Sequence, residues 1–459
     1  MRKLTTFIVT LLLTSSVAAV DLQGALTEGY KNNEELKAAR IKFLDSIEQF
    51  PRAFSGFMPS AGLQINRQNN KTKYNKKYAD RLGLTPRETD SDQGALTIQQ
   101  SLFNGGSSVA ALKASQAGFR AARGAYYAGE QKILLNLITA YLDCFASKAK
   151  YDISESRVRT NIQQVNTVEE KLRLGEATEV DIATVRAGLA AAETNKLAAY
   201  ADFQGKKANF IRVFGIEPTN ITMPELPKML PASLDELTGR AAKLNPDIDS
   251  ARHNVTAAKA LEMVEKGKLL PQVSVQLQSG RTYYKPQDDI KARNVNAINN
   301  RSYTTTTLSV NIPIYPEGGA QYSRIRSAKN QTRNSAVQLD SVIKQTQAGV
   351  VSVWEGFEAA KSHIVAANQG VDAAQISYDG TVQEEIVGSK TILDVLTAEE
   401  KLYEAKITRV DAYKSSVLAA YQMKLLTGEL TAQSLKLKVK YFSPEEEFKA
   451  IKKKMFIGF

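Results

Sequence analysis

The chain has 459 residues, 24% of them charged, with a formal net charge of +12, one cysteine and two histidines. The single cysteine, Cys144, excludes an intrachain disulfide, and its setting in LLNLITAYLDCFA reads as a small buried hydrophobe rather than a reactive thiol. His253 and His363 lie in unrelated contexts, and no CxxC, HExxH, phosphate loop or GxSxG occurs, so the chain reads as neither an enzyme nor a metal or cofactor binder.

The first residues, MRKLTTFIVTLLLTSSVAAVD, carry a basic pair (Arg2, Lys3), an apolar run (Phe7–Leu13) and small residues (Ser16, Ala18, Ala19). This predicts a signal peptide over 1–19, cleaved after Ala18 or Ala19, and too short for a transmembrane helix. No cysteine follows the site, so no N-terminal lipid anchor is expected. A secreted chain makes nucleic acid an improbable partner for the positive charge. The cations are interleaved with acids along helices, which reads as solvated helical faces.

The mature chain divides into two copies of one design. The first, over 20–218, opens with a helical segment at Leu22–Phe50. Alternating stretches predict strands at about 59–68 and 94–104, separated by the polar segment Lys71–Ser91. Gly105-Gly106 then leads into a long helical hairpin over 106–214. Gly106 to Gly175 would span about 100 Å at roughly 1.5 Å per residue, and coiled-coil packing is the natural way to bury such helices. A linker over 219–233 follows, with Pro218, Pro224, Pro227 and Pro231 in and around it.

The second copy, over 234–430, repeats the order. It has a helical segment at Leu234–Lys266, strands at about 271–280 and 304–315, the polar segment Arg281–Ser302, and a hairpin over 319–427. The tail, 431–459, carries Lys452–Lys454 and reads as a loose basic end, partly disordered. Gly175, Thr178, Asp181, Tyr200 and Gly215 recur as Gly388, Thr391, Asp394, Tyr413 and Gly428, each 213 residues later. Asn33, Arg40 and Pro59 recur at an offset of 212 as Asn245, Arg252 and Pro271. Duplication is the simplest explanation.

The strands alternate apolar residues with Gln, Ser, Thr and Asn, as in PQVSVQLQ and LSVNIPIY. Membrane barrels begin at about eight strands, because an open edge leaves backbone groups unpaired in lipid. Four strands per chain therefore require an oligomer, with apolar faces on lipid and polar faces on water. The rival is a soluble sheet packed on the helices. At each hairpin turn, Thr178–Asp181 and Thr391–Asp394 have the TxxD form of a capping box, and Gly175 and Gly388 suit the position that ends the incoming helix. Trp354 and Tyr141 read as packing residues of the long helices, and Tyr283, Tyr284 and Tyr303 as an interfacial aromatic girdle.

The duplicated order, together with IPIYPEGG (Ile312–Gly319), Asn245-Pro246, LLP (Leu269–Pro271) and VGSKTILDVLTAEEKLY, resembles the TolC-like outer-membrane efflux channels over nearly all of the mature chain. The resemblance implies a mainly α fold with a membrane β-barrel. Three chains would form a homotrimer whose 12-stranded barrel is continued across the periplasm by an α-helical barrel, with the tail, 431–459, in the periplasm. It implies an exit duct for drugs or toxic small molecules, for type I protein secretion, or for both. The duct would be coupled through a periplasmic adaptor to an inner-membrane resistance–nodulation–division or ATP-driven transporter.

By the same resemblance, Asp394 is an entrance-ring residue. Three carboxylates on an axis would attract cations and raise one another's pKa. Thr397 stands where a second acid is usual, Lys390 matches a gate arginine, Glu385 replaces a tyrosine, and Asp181 matches the acid across from Lys390. A Lys390–Asp181 latch would lack an arginine's bidentate contact. Leu174-Gly175-Glu176 and Val387-Gly388-Ser389 match the tips that dock on the adaptor. The competing reading is a structural or adhesive trimeric coiled-coil protein without transport. A diffusion porin fits less well, since it closes its barrel from one chain and needs no long helices.

Overall fold

The computed structural model describes residues 21–83, 87–227, 229–285 and 300–454. The expected signal peptide, much of the Arg281–Ser302 segment and residues 455–459 lie outside them. In chain order the elements are α1 (Leu22–Asn32), α2 (Glu34–Ile47), α3 (Gln49–Phe54), β1 (Ser60–Thr72), α4 (Lys76–Leu82), β2 (Arg87–Asn104) and α5 (Ser107–Arg173). There follow α6 (Glu179–Phe214), α7 (Leu234–Leu244), α8 (Pro246–Gly267), β3 (Gln272–Lys285), β4 (Asn300–Asn311), α9 (Ala320–Ile386), α10 (Ile392–Leu426) and α11 (Pro444–Lys454). Helices α5 and α9 have 67 residues each, about 100 Å at 1.5 Å per residue. The chain separates into two compact units.

The unit formed by Phe43–Arg123, Asp249–Asp340 and Ser443–Phe459 contains the sheet. Its strands run β1-β2-β3-β4, all neighbours antiparallel. Register sorts the residues by face. Ala61, Ile98 and Leu277 lie in one row, Leu63 beside Leu96, Val275 beside Leu308 and Val273 beside Val310. The other face carries Ser60, Gln99, Gln276 and Thr307 in one row, and Thr97, Gln278 and Thr305 in another. β1 is exposed along its whole length, with Leu63 70% and Ile65 78% accessible. Among the described residues no helix covers the apolar face of β1, which stands against the reading of a sheet packed on its own helices.

The strands outrun the apolar alternation that located them. β1 continues to Thr72 and β2 begins at Arg87, because complementary cross-strand partners carry the ladder onward. Arg67 Nε lies 3.2 Å from Asp92 Oδ1, and Asn69 Nδ2 donates to Asp90 Oδ1 at 2.6 Å. β4 stops at Asn311 rather than near 315, where Pro313 has no N–H to give. At the exit from β2, Gly105 has φ +65°, and a Cβ there would lie 2.0 Å from the Gly267 carbonyl oxygen. Only glycine fits both the left-handed backbone and that approach.

The tail is not loose in its described part. Phe448 on α11 stacks on Phe119 with centroids 3.9 Å apart and meets Phe50 edge-on at 5.1 Å. Lys452 sits over both the Phe448 and Phe50 rings, and Glu445 pairs with Arg123 at 3.2 Å. Aromatic burial, absent from the lysine-rich pattern, overrides the expectation of a loose basic end over 444–454.

The other unit comprises Met1–Lys42, Gly124–Ile248 and Ser341–Phe442. Its core includes Leu26, Leu134, Leu137, Ile138, Phe210 and Phe214, all fully buried. Gly29 on α1 comes so near α5 and α6 that a Cβ would lie 2.7 Å from Phe214 and 2.9 Å from Leu137. A second cluster joins Leu237 and Ala241 of α7 to Val350 and Met423, with Trp354 packed against it as a structural residue. Tyr141 is buried, and its hydroxyl donates to the Thr222 carbonyl at 2.7 Å. Tyr413 donates likewise to Pro224. Cys144 is buried, and burial pushes its thiol up to about 11.

Candidate functional site

The two hairpin turns lie in the helical unit and are built alike. Each incoming helix closes in a Schellman motif: Glu176 N–H donates to Lys171 O at 2.8 Å and Gly175 N–H to Leu172 O at 3.0 Å. Ser389 N–H to Glu384 O (2.8 Å) and Gly388 N–H to Glu385 O (2.9 Å) repeat it. The motif needs a left-handed residue at its end, and Gly175 (φ +81°) and Gly388 (φ +78°) supply it. No neighbouring atom lies within 4 Å of a Cβ built on either glycine, so the tips are open. Leu174, Glu176, Val387, Ser389 and Lys390 are exposed, Val387 by 77%.

Each outgoing helix opens in a reciprocal capping box. Asp394 N–H donates to Thr391 Oγ1 at 3.3 Å, and Thr391 N–H returns to Asp394 Oδ2 at 2.9 Å. Thr178 and Asp181 match this at 3.2 and 2.9 Å. In each box the threonine hydroxyl also donates to the carboxylate, at 2.8 Å in the second copy and 2.7 Å in the first. These bonds, from the Thr391 N–H foremost, hold the Asp394 carboxyl below its ordinary value, with Lys390 adding a smaller pull. The Thr178 bonds do the same for Asp181. Thr397, one turn beyond Asp394, is exposed and returns its hydroxyl to Leu393 O at 2.8 Å.

Asp181 Oδ2 accepts from Thr178, and among the described ion pairs none joins Lys390 to Asp181 within the chain. Among the described ion pairs, the one that joins the two hairpin ends is Lys171 Nζ–Glu385 Oε1 at 2.7 Å. Glu385 therefore faces α5.

A charged cluster further along the same helices was not read from sequence. The Arg157 side chain of α5 is largely shielded and reaches two consecutive acids of α10, Glu399 (Nε to Oε1 3.8 Å) and Glu400 through Nη2. Its guanidinium lies 4.6 Å from the Tyr403 ring centroid, and Asn161 Nδ2 donates to Glu399 at 2.6 Å. Burial pushes the Glu399 carboxyl up, against the opposing pull of Arg157. Lys150–Asp411 at 2.7 Å continues the series. The signal available in sequence was polar residues at core spacing: Arg157, Asn161 and Gln164 step at three and four residues beside Val165 and Val168.

Comparison with known proteins identifies the family. The family model for outer membrane efflux protein matches residues 26–215 and 237–429. Outer membrane efflux protein BepC of Brucella suis biovar 1 is 29% identical over 449 residues, covering 97% of this chain and 94% of that protein. Proteases secretion protein PrtF of Dickeya chrysanthemi is 22% identical, covering 92% of this chain and 90% of that one. The CmeC outer membrane channel of Campylobacter jejuni superposes with a TM-score of 0.76 at 16% identity, over 95% of this chain and 90% of that one. With most of its length matched in two blocks, the chain belongs to the outer membrane efflux protein family, the outer-membrane channels of efflux and type I secretion.

Proposed function

We propose that three copies of the chain form an exit duct, with a 12-stranded barrel in the outer membrane continued by an α-helical barrel in the periplasm. The observation that carries this reading is the four-stranded sheet, exposed along β1, with β1 and β4 left as its two edges. An unpaired edge is untenable in lipid, and three such sheets joined edge to edge close without one. The Leu63, Leu96, Leu277 and Leu308 face would meet lipid, and the Gln and Thr face would line the lumen. Arg67–Asp92, on the lipid-facing side, would mark where the hydrocarbon ends.

In this reading the two copies of the repeat, 20–218 and 234–430, are equivalent hairpins joined by the 219–233 linker. Asp394 caps α10 and also forms an entrance ring, where mutual repulsion of three carboxylates opposes the downward pull of Thr391. Lys390, Asp181, Glu385 and Thr397 surround that ring. Leu174-Gly175-Glu176 and Val387-Gly388-Ser389 would dock on a periplasmic adaptor that couples the duct to an inner-membrane pump. Their open left-handed glycines and exposed Leu174 and Val387 support this.

Planar-bilayer recording tests the conduit. The purified chain should form cation-selective pores, and Asp394→Asn should lose that selectivity and any block by trivalent cations. Deletion of the gene should raise drug susceptibility or abolish secretion of a protein. Absence of pores together with unchanged susceptibility and secretion would leave the structural or adhesive reading.

A further inference from the structure

The Arg157 cluster rests on a different logic from the turns. Arg157 and Glu399 side chains are 8% and 6% exposed, and two of the guanidinium nitrogens lack hydrogen-bond partners. Such burial is a poor source of stability, but it can fix register. The two acids it grips, Glu399 and Glu400, are consecutive, so they stand about 100° apart around α10. A guanidinium hydrogen-bonded to Glu400 through Nη2 and held beside Glu399 by a 3.8 Å charge contact at Nε resists rotation of the helix as well as sliding. Packing alone would not do this, because Arg157, Glu399, Tyr378, Tyr403 and Lys406 border a cavity of about 360 Å³.

Asp394 lies five residues before Glu399, roughly 8 Å along the same uninterrupted helix. Rotating α10 by 30° would swing a carboxylate at a radius of roughly 6 Å through about 3 Å. That is a hydrogen-bond length, enough to change the width of a ring. At the 213-residue offset, Gly370 corresponds to Arg157 and Arg186 to Glu399. Arg186 pairs instead with Glu169 in its own hairpin. The grip thus occurs in one copy only, so a helical hairpin does not need it in order to fold.

We propose that Arg157, through Glu399 and Glu400, is a positioning residue that sets the rotation of α10 and so aims Asp394. The proposal rests on the entrance-ring reading above. In bilayers, Arg157→Gln should change the cation-to-anion permeability ratio at least twofold with Asp394 intact, and Arg157→Lys should recover part of it. Glu400→Gln, at a side chain 44% exposed, carries the same test if Arg157→Gln does not insert, because it removes only the negative charge that Nη2 meets and leaves Glu399 in place. A purely structural role would lower thermal stability and leave selectivity unchanged. Inserted Arg157→Gln or Glu400→Gln channels with wild-type selectivity and conductance overturn the proposal. An Asp394→Asn channel with wild-type selectivity overturns the ring reading instead, and a wild-type chain that forms no pore overturns the conduit.

Discussion

The paired turns offer an internal control for separating capping from conduction. Thr391→Ala removes the acceptor for Asp394 N–H, a bond already long at 3.3 Å, and the 2.8 Å bond from the hydroxyl to the carboxylate. The return bond from Thr391 N–H at 2.9 Å survives. The loss is that of an ordinary threonine cap, about 1 kcal/mol, because the site is exposed and water replaces part of what is removed. Hydrogen exchange reads it directly: the amides of 393–395 should exchange about fivefold faster, while Thr391→Ser stays within about twofold. Thr178→Ala, with matching distances, should accelerate 180–182 by the same factor. Selectivity should respond only to Thr391→Ala, since only Asp394 is assigned to the ring. Unchanged exchange in Thr391→Ala would refute the capping argument. Equal changes in selectivity at both turns would refute the assignment of the ring to one copy.

Three further outcomes follow from particular contacts. Burial raises the Glu399 and Glu130 carboxyls, so each holds more protons folded than unfolded above the ordinary value of 4.5. Their contribution to stability falls as pH rises above that value, and Glu399→Gln should flatten the melting-temperature profile above pH 4.5. The capping aspartates have the opposite sign, their contribution being lost as pH falls below the ordinary 3.8. Tyr141→Phe with Tyr413→Phe releases the linker at Thr222 and Pro224; at about 1 kcal/mol per bond, limited proteolysis near Met223 should quicken roughly thirtyfold. Phe448→Ala should detach α11 at a cost of about 3 kcal/mol, seen as rapid exchange across 444–454 with the sheet amides unaffected.

What was legible from sequence follows from how local each determinant is. The turns could be read because glycine and TxxD act within six residues, and their geometry depends on nothing distant. The strands could be located by alternation, but their ends could not. Pairing of Arg67 with Asp92 and of Asn69 with Asp90 depends on register across the sheet, which period-two patterning does not encode. The packing of α11 was hidden because Phe448 meets Phe50 and Phe119, both more than 300 residues away in sequence. Arg157 was hidden for a related reason. A cation on a charged helix reads as solvated until its partners on α10 are known.

Lys414 of α10 meets Asp143 of α5, and three cations of α5 run the other way: Lys150, Arg157 and Lys171 meet Asp411, Glu399, Glu400 and Glu385 on α9 or α10. They span 21 residues of α5, roughly 32 Å, in antiparallel order. A slip of one turn would leave every cation opposite the wrong residue, so the set specifies a register even where single pairs add little. The rungs differ in exposure, and that difference is testable. Raising salt from 0.1 to 1 M shortens the screening length from about 10 to about 3 Å, which weakens the outer pairs and hardly touches the largely shielded Arg157 side chain. Exchange should therefore rise near Glu385 and Asp411 and stay constant across 399–403. Uniform acceleration along α10 would mean that the central grip is as solvated as its neighbours, and the argument that it fixes the helix rotation would fall with it.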